Sequence, residues 1–303
     1  MRADIAIVGA GTAGMTAAIY ARRAGKEVLV LEAAAHGGQI VNTPDIENYP
    51  LAAHISGFDF AEKVFEQARG LGAGFLYEEV LELRALEGGF ALQTPKGVHF
   101  AGAVILAAGS RYRRLGLENE ERLTGRGVSW CASCDGGFYR GKSVAVVGGG
   151  STALGEALCL SGLAEKVTLI HRRESFRGEE VSLRRLREKG NVHFLLSSRV
   201  TRLLGQERLE AIEVAGPPET GRHIIPLDGL FIAIGREPVC GRFAPLAALD
   251  GEGYVLAGED CHTGTPGLFA AGDCRAKALR QLVTAAADGA MAATEAAKYL
   301  NRR

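Results

Sequence analysis

Two cysteines separated by two residues, in the run Cys131-Ala132-Ser133-Cys134, are the most reactive pattern in the chain, and Asp135 follows them directly. Two intervening residues at the start of a helix let the sulfurs form a disulfide and lower the pKa of one thiol. Dithiol exchange also needs a proton carried on and off sulfur, and Asp135 is placed to carry it. Zinc is the competing use of such a pair. A structural zinc site takes two further ligands at similar spacing, whereas Cys159, Cys240, Cys261 and Cys274 make no second pair of this kind. The histidines at 54, 99, 193, 223 and 262 show no metal-ligand spacing either.

Two glycine turns stand elsewhere in the chain. Gly9-Ala10-Gly11-Thr12-Ala13-Gly14 follows an apolar run, opens a helical stretch, and is answered by Glu32 at the end of the next apolar run. Glycines there permit a sharp turn and close approach of a pyrophosphate to free N–H groups, and the acid accepts hydrogen bonds from a ribose. The second turn, Gly148-Gly149-Gly150-Ser151-Thr152-Ala153, has the same setting, but its second strand ends in His171-Arg172-Arg173, with Arg177 close behind. Guanidinium groups in place of the acid favour a 2′-phosphate, hence NADPH over NADH. A solvated basic patch is the plainer alternative. An acidic site for the adenosine half of FAD beside a basic site for NADPH describes a flavoprotein that accepts hydride from NADPH.

These residues need a particular frame. The order strand (Asp4–Val8), glycine turn, helix to about Ala24, strand (Glu27–Leu31) is a βαβ start. Residues 33–57 read as a long loop. A helix from Phe58 to about Leu71, short strands near 74–82, 89–94 and 97–100, and Val104-Ile105-Leu106 ending in Ala107-Ala108-Gly109 complete the first half. The plan then repeats: a strand at 143–147, a helix to about Leu163, a strand at 167–170, short strands near 191–204, 208–214 and 222–225, and a closing strand ending at Gly235. The fold expected is α/β, with two Rossmann-like domains. Leu268 to Asp273 and an Ala-rich helix from about Gln281 to Leu300 begin no third copy and are expected to return to the first domain. The first domain would then comprise 1–112 and 241–303, with 113–240 inserted and carrying the cysteine pair. Cysteine pair and NADPH turn on one domain cannot both reach the flavin at once, so this domain is expected to rotate between two poses.

Composition narrows the class. Lys+Arg and Asp+Glu balance at 35 each among 303 residues, which argues against a nucleic-acid binder and against an acidic disordered tail. Glycine, at 41 residues, is roughly twice its average usage. No apolar run is long enough for a membrane span. The opening residues read as a strand rather than a basic leader with a long apolar core, which predicts a cytoplasmic location.

The chain resembles the low-molecular-weight, bacterial-type thioredoxin reductases along nearly its whole length. The resemblance rests on Gly9 to Gly14, Gly37-Gly38-Gln39, Glu47-Asn48-Tyr49-Pro50, Cys131-Ala132-Ser133-Cys134-Asp135-Gly136, Val147 to Gly150, His171-Arg172-Arg173 with Phe176-Arg177, Gly272-Asp273 and Arg280-Gln281. It implies that Gly38, Gln39, Asn48, Asp273, Arg280 and Gln281 join Glu32, with Ala108, Gly109 and Gly272, at FAD, and that Asp273 meets the ribityl chain. Cys134 would lie nearest the flavin, Cys131 would attack the partner's disulfide, and Asp135 would be the acid/base. The resemblance also implies a homodimer whose partner is a small thioredoxin. Ser151-Thr152, Gly137 and Cys274 depart from the commonest pattern of that family. Two other readings keep some of these residues: a relative drawing electrons from another donor, which the basic cluster disfavours, and a non-catalytic redox sensor, which the complete cysteine pair with its aspartate disfavours.

Overall fold

The β-branched opening run forms β1 (Arg2–Val8), followed by α1 (Thr12–Arg23) and β2 (Val28–Glu32). The computed structural model describes every residue except 44, 47, 51–53 and 218–220, so Glu47 lies outside the described residues. Within the expected loop sits a short 3-10 turn, Gly38–Asn42. Next come α2 (Gly57–Gly70), β3 (Gly74–Tyr77), β4 (Glu82–Leu86), β5 (Gly89–Thr94) and β6 (Gly97–Leu106). Ser56 caps α2 by accepting from the Asp59 amide at 3.0 Å.

The sequence divides β6 into two pieces, but the structure runs it unbroken. From Phe100, opposite Arg2, to Leu106, opposite Val8, it pairs in parallel with β1. On the other edge its first half pairs antiparallel with β5. A continuous partner on one side holds the strand through Gly102.

The chain continues through β7 (Ser110–Tyr112), α3 (Glu120–Leu123), β8 (Val128–Ser129), α4 (Ala132–Asp135), β9 (Ser143–Val147), α5 (Ser151–Ser161) and β10 (Lys166–Ile170). Then follow α6 (Glu180–Arg187), which sequence reasoning missed, β11 (Val192–Leu195), β12 (Arg199–Leu204), β13 (Ala211–Ala215), β14 (Arg222–Pro226) and β15 (Gly229–Ile232). The last elements are β16 (Arg236–Pro238), β17 (Leu268–Ala270) and α7 (Leu282–Asn301).

The chain divides into two compact units, Met1–Arg111 with Glu237–Arg303, and Tyr112–Arg236. The second crossing falls before residue 240 because Cys240 is fully buried in the first unit's core, beside Phe243. In the first unit the sheet order is β3-β2-β1-β6-β5-β4, with β17 also on β6. In the second it is β11-β10-β9-β15-β8, with β12-β13-β14 forming a separate antiparallel sheet. The halves thus share one central order, in which the first strand of the βαβ start lies between its second strand and the closing strand.

Both faces of each parallel sheet are covered, which is why the central strands read as unbroken apolar runs. Ile5 and Ile7 of β1 point into one core, and Ala6 and Val8 into the other. In β9 the same alternation sends Val144 and Val146 one way and Ala145 and Val147 the other. No helix among the described residues is long and apolar enough to cross a membrane.

Candidate active site

In the first unit the glycine turn joins β1 to the N-terminus of α1. Gly9 has a φ of +106°, and a Cβ on Gly14 would lie 1.9 Å from the Gly9 carbonyl oxygen, so neither position admits a side chain without moving backbone. A Cβ on Gly11 would meet nothing within 4 Å, so the open side of the turn faces away from the protein's own atoms. Thr12 and Ala13, both buried, form the first turn of the helix, and no side chain caps its N-terminus. Glu32 ends β2 with one carboxylate oxygen on the Ala10 amide at 2.8 Å and the other on the Ala34 amide at 3.0 Å.

The expected FAD residues gather around this turn. Gly11 bridges Gly37, which sets Gly38 against the turn and leaves Gln39 exposed. Ala108 and Gly109 follow the end of β6, next in the sheet to β1. Gly272 packs so closely on Ala13 that a Cβ there would come within 2.7 Å of the alanine methyl. Arg280 donates to the Asp273 carbonyl at 3.4 Å and lies 3.9 Å over the Tyr254 ring. Asn48 donates to Gln281 at 3.2 Å, and Gln281 caps α7. A collar of backbone and polar side chains thus surrounds a bare helix N-terminus. That arrangement fits a dinucleotide pyrophosphate, with Glu32 retaining acceptor capacity for a ribose.

Sequence reasoning missed the charges beneath this collar. Asp288, buried on α7, accepts from Gly272 N at 2.9 Å, from Arg275 at 2.9 Å and from Lys277 at 2.9 Å. Burial pushes its carboxyl up, but these two cations win and hold it below the usual carboxylate range. His36 is half-buried beside this collar. It stacks on Phe65 at 3.8 Å between Glu62 and Tyr77.

The second unit carries the other turn. A Cβ on Gly149 would fall 2.1 Å from the His171 ring, so the turn and the end of β10 fit only with glycine between them. Gly150 precedes α5 and faces open space, as Gly11 does. Gly148 abuts Ala153, while Ser151 and Thr152 are exposed. The Arg177 amide donates to the Gly149 carbonyl at 2.7 Å, tying the basic loop to the turn. Arg172, Arg173 and Arg177 are exposed, and none forms an ion pair among the described residues. His171 is buried, and its Nε2 has no hydrogen-bond partner among the described residues. Burial, followed by the three arginines, pushes its pKa down. Exposed guanidinium groups tied to the glycine turn fit a 2′-phosphorylated nucleotide.

In the same unit Cys131 and Cys134 form a disulfide with a Cα–Cα separation of 5.3 Å. Among the described residues no group of three or more His, Cys, Asp or Glu is arranged for a metal ion. Asp135 ends the single turn of α4. Ser129 donates to its Oδ2 at 2.6 Å and accepts from the Cys131 amide at 3.2 Å, so one hydroxyl links aspartate and disulfide. The other oxygen, Oδ1, is buried without a partner among the described residues. Burial raises the carboxyl's pKa, and the Ser129 hydrogen bond offsets only part of this. From α5 the carboxylate of Glu156 accepts the Ala132 amide. Neither Ser129 nor Glu156 carries a local sequence signal for this role. Trp130, next to Cys131 in the chain, stacks on Tyr112 at 5.8 Å and donates to the Arg113 carbonyl.

Comparison with known proteins agrees with this chemistry. The family model for pyridine nucleotide-disulphide oxidoreductases matches residues 3–289. A Listeria innocua protein named thioredoxin reductase is 39% identical over 298 residues, covering 98% of this chain and 93% of its own. The Treponema pallidum protein of that name is 40% identical over 299 residues, 98% of this chain and 97% of its own. A crystal structure of thioredoxin reductase from Streptococcus pyogenes superposes with a TM-score of 0.93 at 38% identity, covering 100% of this chain and 99% of that one.

Proposed function

The chain belongs to the pyridine nucleotide-disulphide oxidoreductase family, and we propose that it works as a thioredoxin reductase, passing electrons from NADPH through FAD to the Cys131–Cys134 disulfide and on to thioredoxin. One observation carries the reading: a disulfide flanked by a largely buried carboxyl, whose pKa burial raises, lies in the same compact unit as a glycine turn bordered by exposed arginines. A dithiol beside a proton carrier is what disulfide exchange requires.

The first unit holds the FAD site. Gly9 makes the sharp turn, its own amide held by the Leu31 carbonyl, so that Gly11, Thr12, Ala13 and Gly14 present amides to the pyrophosphate; Glu32 takes the adenosine ribose, and Asp273 meets the ribityl chain. Gly38, Gln39, Asn48, Ala108, Gly109, Gly272, Arg280 and Gln281 complete it. The second unit holds NADPH between Gly148, Gly150, Ser151, Thr152, Ala153 and the cluster of His171, Arg172, Arg173 and Arg177. Bound flavin supplies the step that joins a two-electron nicotinamide to a disulfide.

The protein's own groups then perform the exchange. The Cys131 thiolate attacks one sulfur of the thioredoxin disulfide. That bond breaks, a mixed disulfide forms, and the departing sulfur keeps the electron pair and takes a proton from Asp135. Asp135 next removes the proton of Cys134. The Cys134 thiolate attacks Cys131, the Cys131–Cys134 bond re-forms, and the second thioredoxin sulfur leaves and is protonated in turn. Two protons and two electrons pass from this dithiol to thioredoxin.

Nicotinamide site and dithiol share one unit, so they take turns at the flavin by rotation of that unit. Resemblance to the family supports a homodimer in the cytoplasm. The decisive test is the visible spectrum with each nucleotide and a thioredoxin-coupled insulin assay. A flavin band bleached much faster by NADPH than by NADH, with insulin reduced only when thioredoxin is present, is the result expected. Protein that stays colourless after saturation with FAD contradicts the reading.

A further inference from the structure

The six residues that leave β2, Ala33-Ala34-Ala35-His36-Gly37-Gly38, hold one side chain larger than a methyl group. They form a strap along the first glycine turn. The Ala34 amide donates to Glu32 at 3.0 Å, the Gly37 amide donates to the Ala10 carbonyl at 2.8 Å, and Gly37 bridges Gly11. A Cβ on Gly38 would lie 3.2 Å from the Gly11 Cα. Gly37 and Gly38 both take positive φ, at +101° and +68°. A run of alanine and glycine has little of its own to hold such a course.

His36 supplies the anchor. Its ring stacks on Phe65 of α2 at 3.8 Å, with the planes 7° apart. Its Nε2 meets Oε1 of Glu62, also on α2, at 2.6 Å, and its Nδ1 meets the Tyr77 hydroxyl at 2.9 Å. An ionised carboxylate only accepts, so Nε2 carries a proton, while the phenol at Nδ1 can donate or accept. The ring is therefore held on one face and at both nitrogens. Tyr77 ends β3 directly opposite Glu32 in the sheet register, so the anchor is fixed to the strand beside the acid.

We propose that His36 is a positioning residue for the adenosine diphosphate half of FAD: by pinning the strap to α2 and β3 it keeps Gly37 on the glycine turn and Ala34 on the Glu32 carboxylate. The inference rests on the proposed assignment of that turn and of Glu32 to FAD. His36 acts through the strap and not by touching the cofactor. A site ordered beforehand spares the ligand the cost of ordering it, so the contribution appears as affinity. It appears at the adenosine end alone, because none of the strap's contacts involves Asp273.

The test uses the full chain stripped of FAD, with NADP+ saturating so that added ADP reports on the first unit. Calorimetric titration gives Kd for FAD and for ADP in the parent, in His36→Ala and in Glu32→Ala. In His36→Ala both constants are expected to rise by the same factor, about tenfold. At saturating FAD the rate of flavin bleaching by NADPH is expected to match the parent's. A lowered melting temperature with the ADP constant unmoved makes His36 a scaffold residue and overturns the proposal. If His36→Ala does not fold, Tyr77→Phe decides, since it removes only the hydroxyl at Nδ1. A rise of about threefold in the ADP constant is then expected, and an unchanged constant overturns the proposal. Glu32→Ala reads the assignment beneath. ADP binding weakened in Glu32→Ala but not in His36→Ala removes this proposal alone. ADP binding unchanged in Glu32→Ala removes the assignment, and the proposal with it.

Discussion

The backbone N–H of Gly272 donates to Oδ2 of Asp288 at 2.9 Å, so the turn carrying Asp273 hangs from a buried carboxylate on α7. The same carboxylate holds Arg275 and Lys277. Removing it leaves two buried cations without their acid. Asp288→Ala is expected to cost about 3–5 kcal/mol of stability and to lower flavin retention. The pH dependence has a definite sign. The folded pKa lies below the ordinary value of 3.8, so the contribution of Asp288 is full above that value and is lost as pH falls through the folded pKa. Denaturant titrations should therefore show the largest gap between parent and variant near neutrality, closing in acid. A gap independent of pH speaks against the ionic account.

Cys134→Ser separates the two halves of the electron path. Reduction of FAD by NADPH is expected to proceed, because neither nucleotide site contains Cys134. Reduction of thioredoxin is expected to vanish, because no dithiol can form. Stopped-flow absorbance reads the first and the insulin assay the second. Thioredoxin turnover surviving in this variant would remove the pair from the mechanism.

Arg172→Ala combined with Arg173→Ala tests the phosphate reading. Both guanidinium groups are exposed, and neither has an ion-pair partner among the described residues, so their loss leaves no broken contact within the protein. A charge-assisted hydrogen bond to phosphate contributes about 1.5–3 kcal/mol. The ratio of kcat/KM for NADPH over NADH is accordingly expected to drop at least about tenfold. An unchanged ratio makes the cluster a solvated face.

The free thiols differ in access. Cys159 is exposed, whereas Cys240, Cys261 and Cys274 are buried. Cys159 is turned outward by α5. Its pKa is raised, first by partial burial and then by Glu156, so its alkylation should be slow at neutral pH and accelerate in alkali. Iodoacetamide treatment of the oxidised native protein, followed by peptide mass mapping, should find Cys159 modified and the other three spared until unfolding. Early modification of Cys261, whose thiol burial pushes up to about 12, would contradict the packing described.

What was legible in the sequence is what is local. Strand, glycine turn, helix and strand lie within some thirty residues of one another, so both nucleotide turns, Glu32 and the basic cluster could be placed from spacing alone. The unbroken course of β6 could not, because it follows from its pairing with β1 roughly a hundred residues earlier. Asp288 and Glu156 were invisible for a related reason. An acid in an apolar helix reads as a surface residue until the group that donates to it, Arg275 or the Ala132 amide, arrives through folding. Ser129 was likewise hidden, since a serine before a cysteine pair is unremarkable until its hydroxyl is seen to bridge two functional groups.

The points where the chain passes from one unit to the other bring its four severed ends into two neighbouring pairs. On one side Arg111 and Glu237 form an ion pair at 3.6 Å. On the other the Arg236 guanidinium lies 4.1 Å over the Tyr112 ring, and the Arg113 amide donates to the Gly235 carbonyl at 3.0 Å. Residues 112–236 are thus a cassette whose start and finish sit together, and the remainder needs only a short splice to become one continuous polypeptide. Under the function proposed, each piece is expected to bind a single nucleotide when produced alone, and titration of the two pieces would measure the two affinities without the electron traffic that normally couples them.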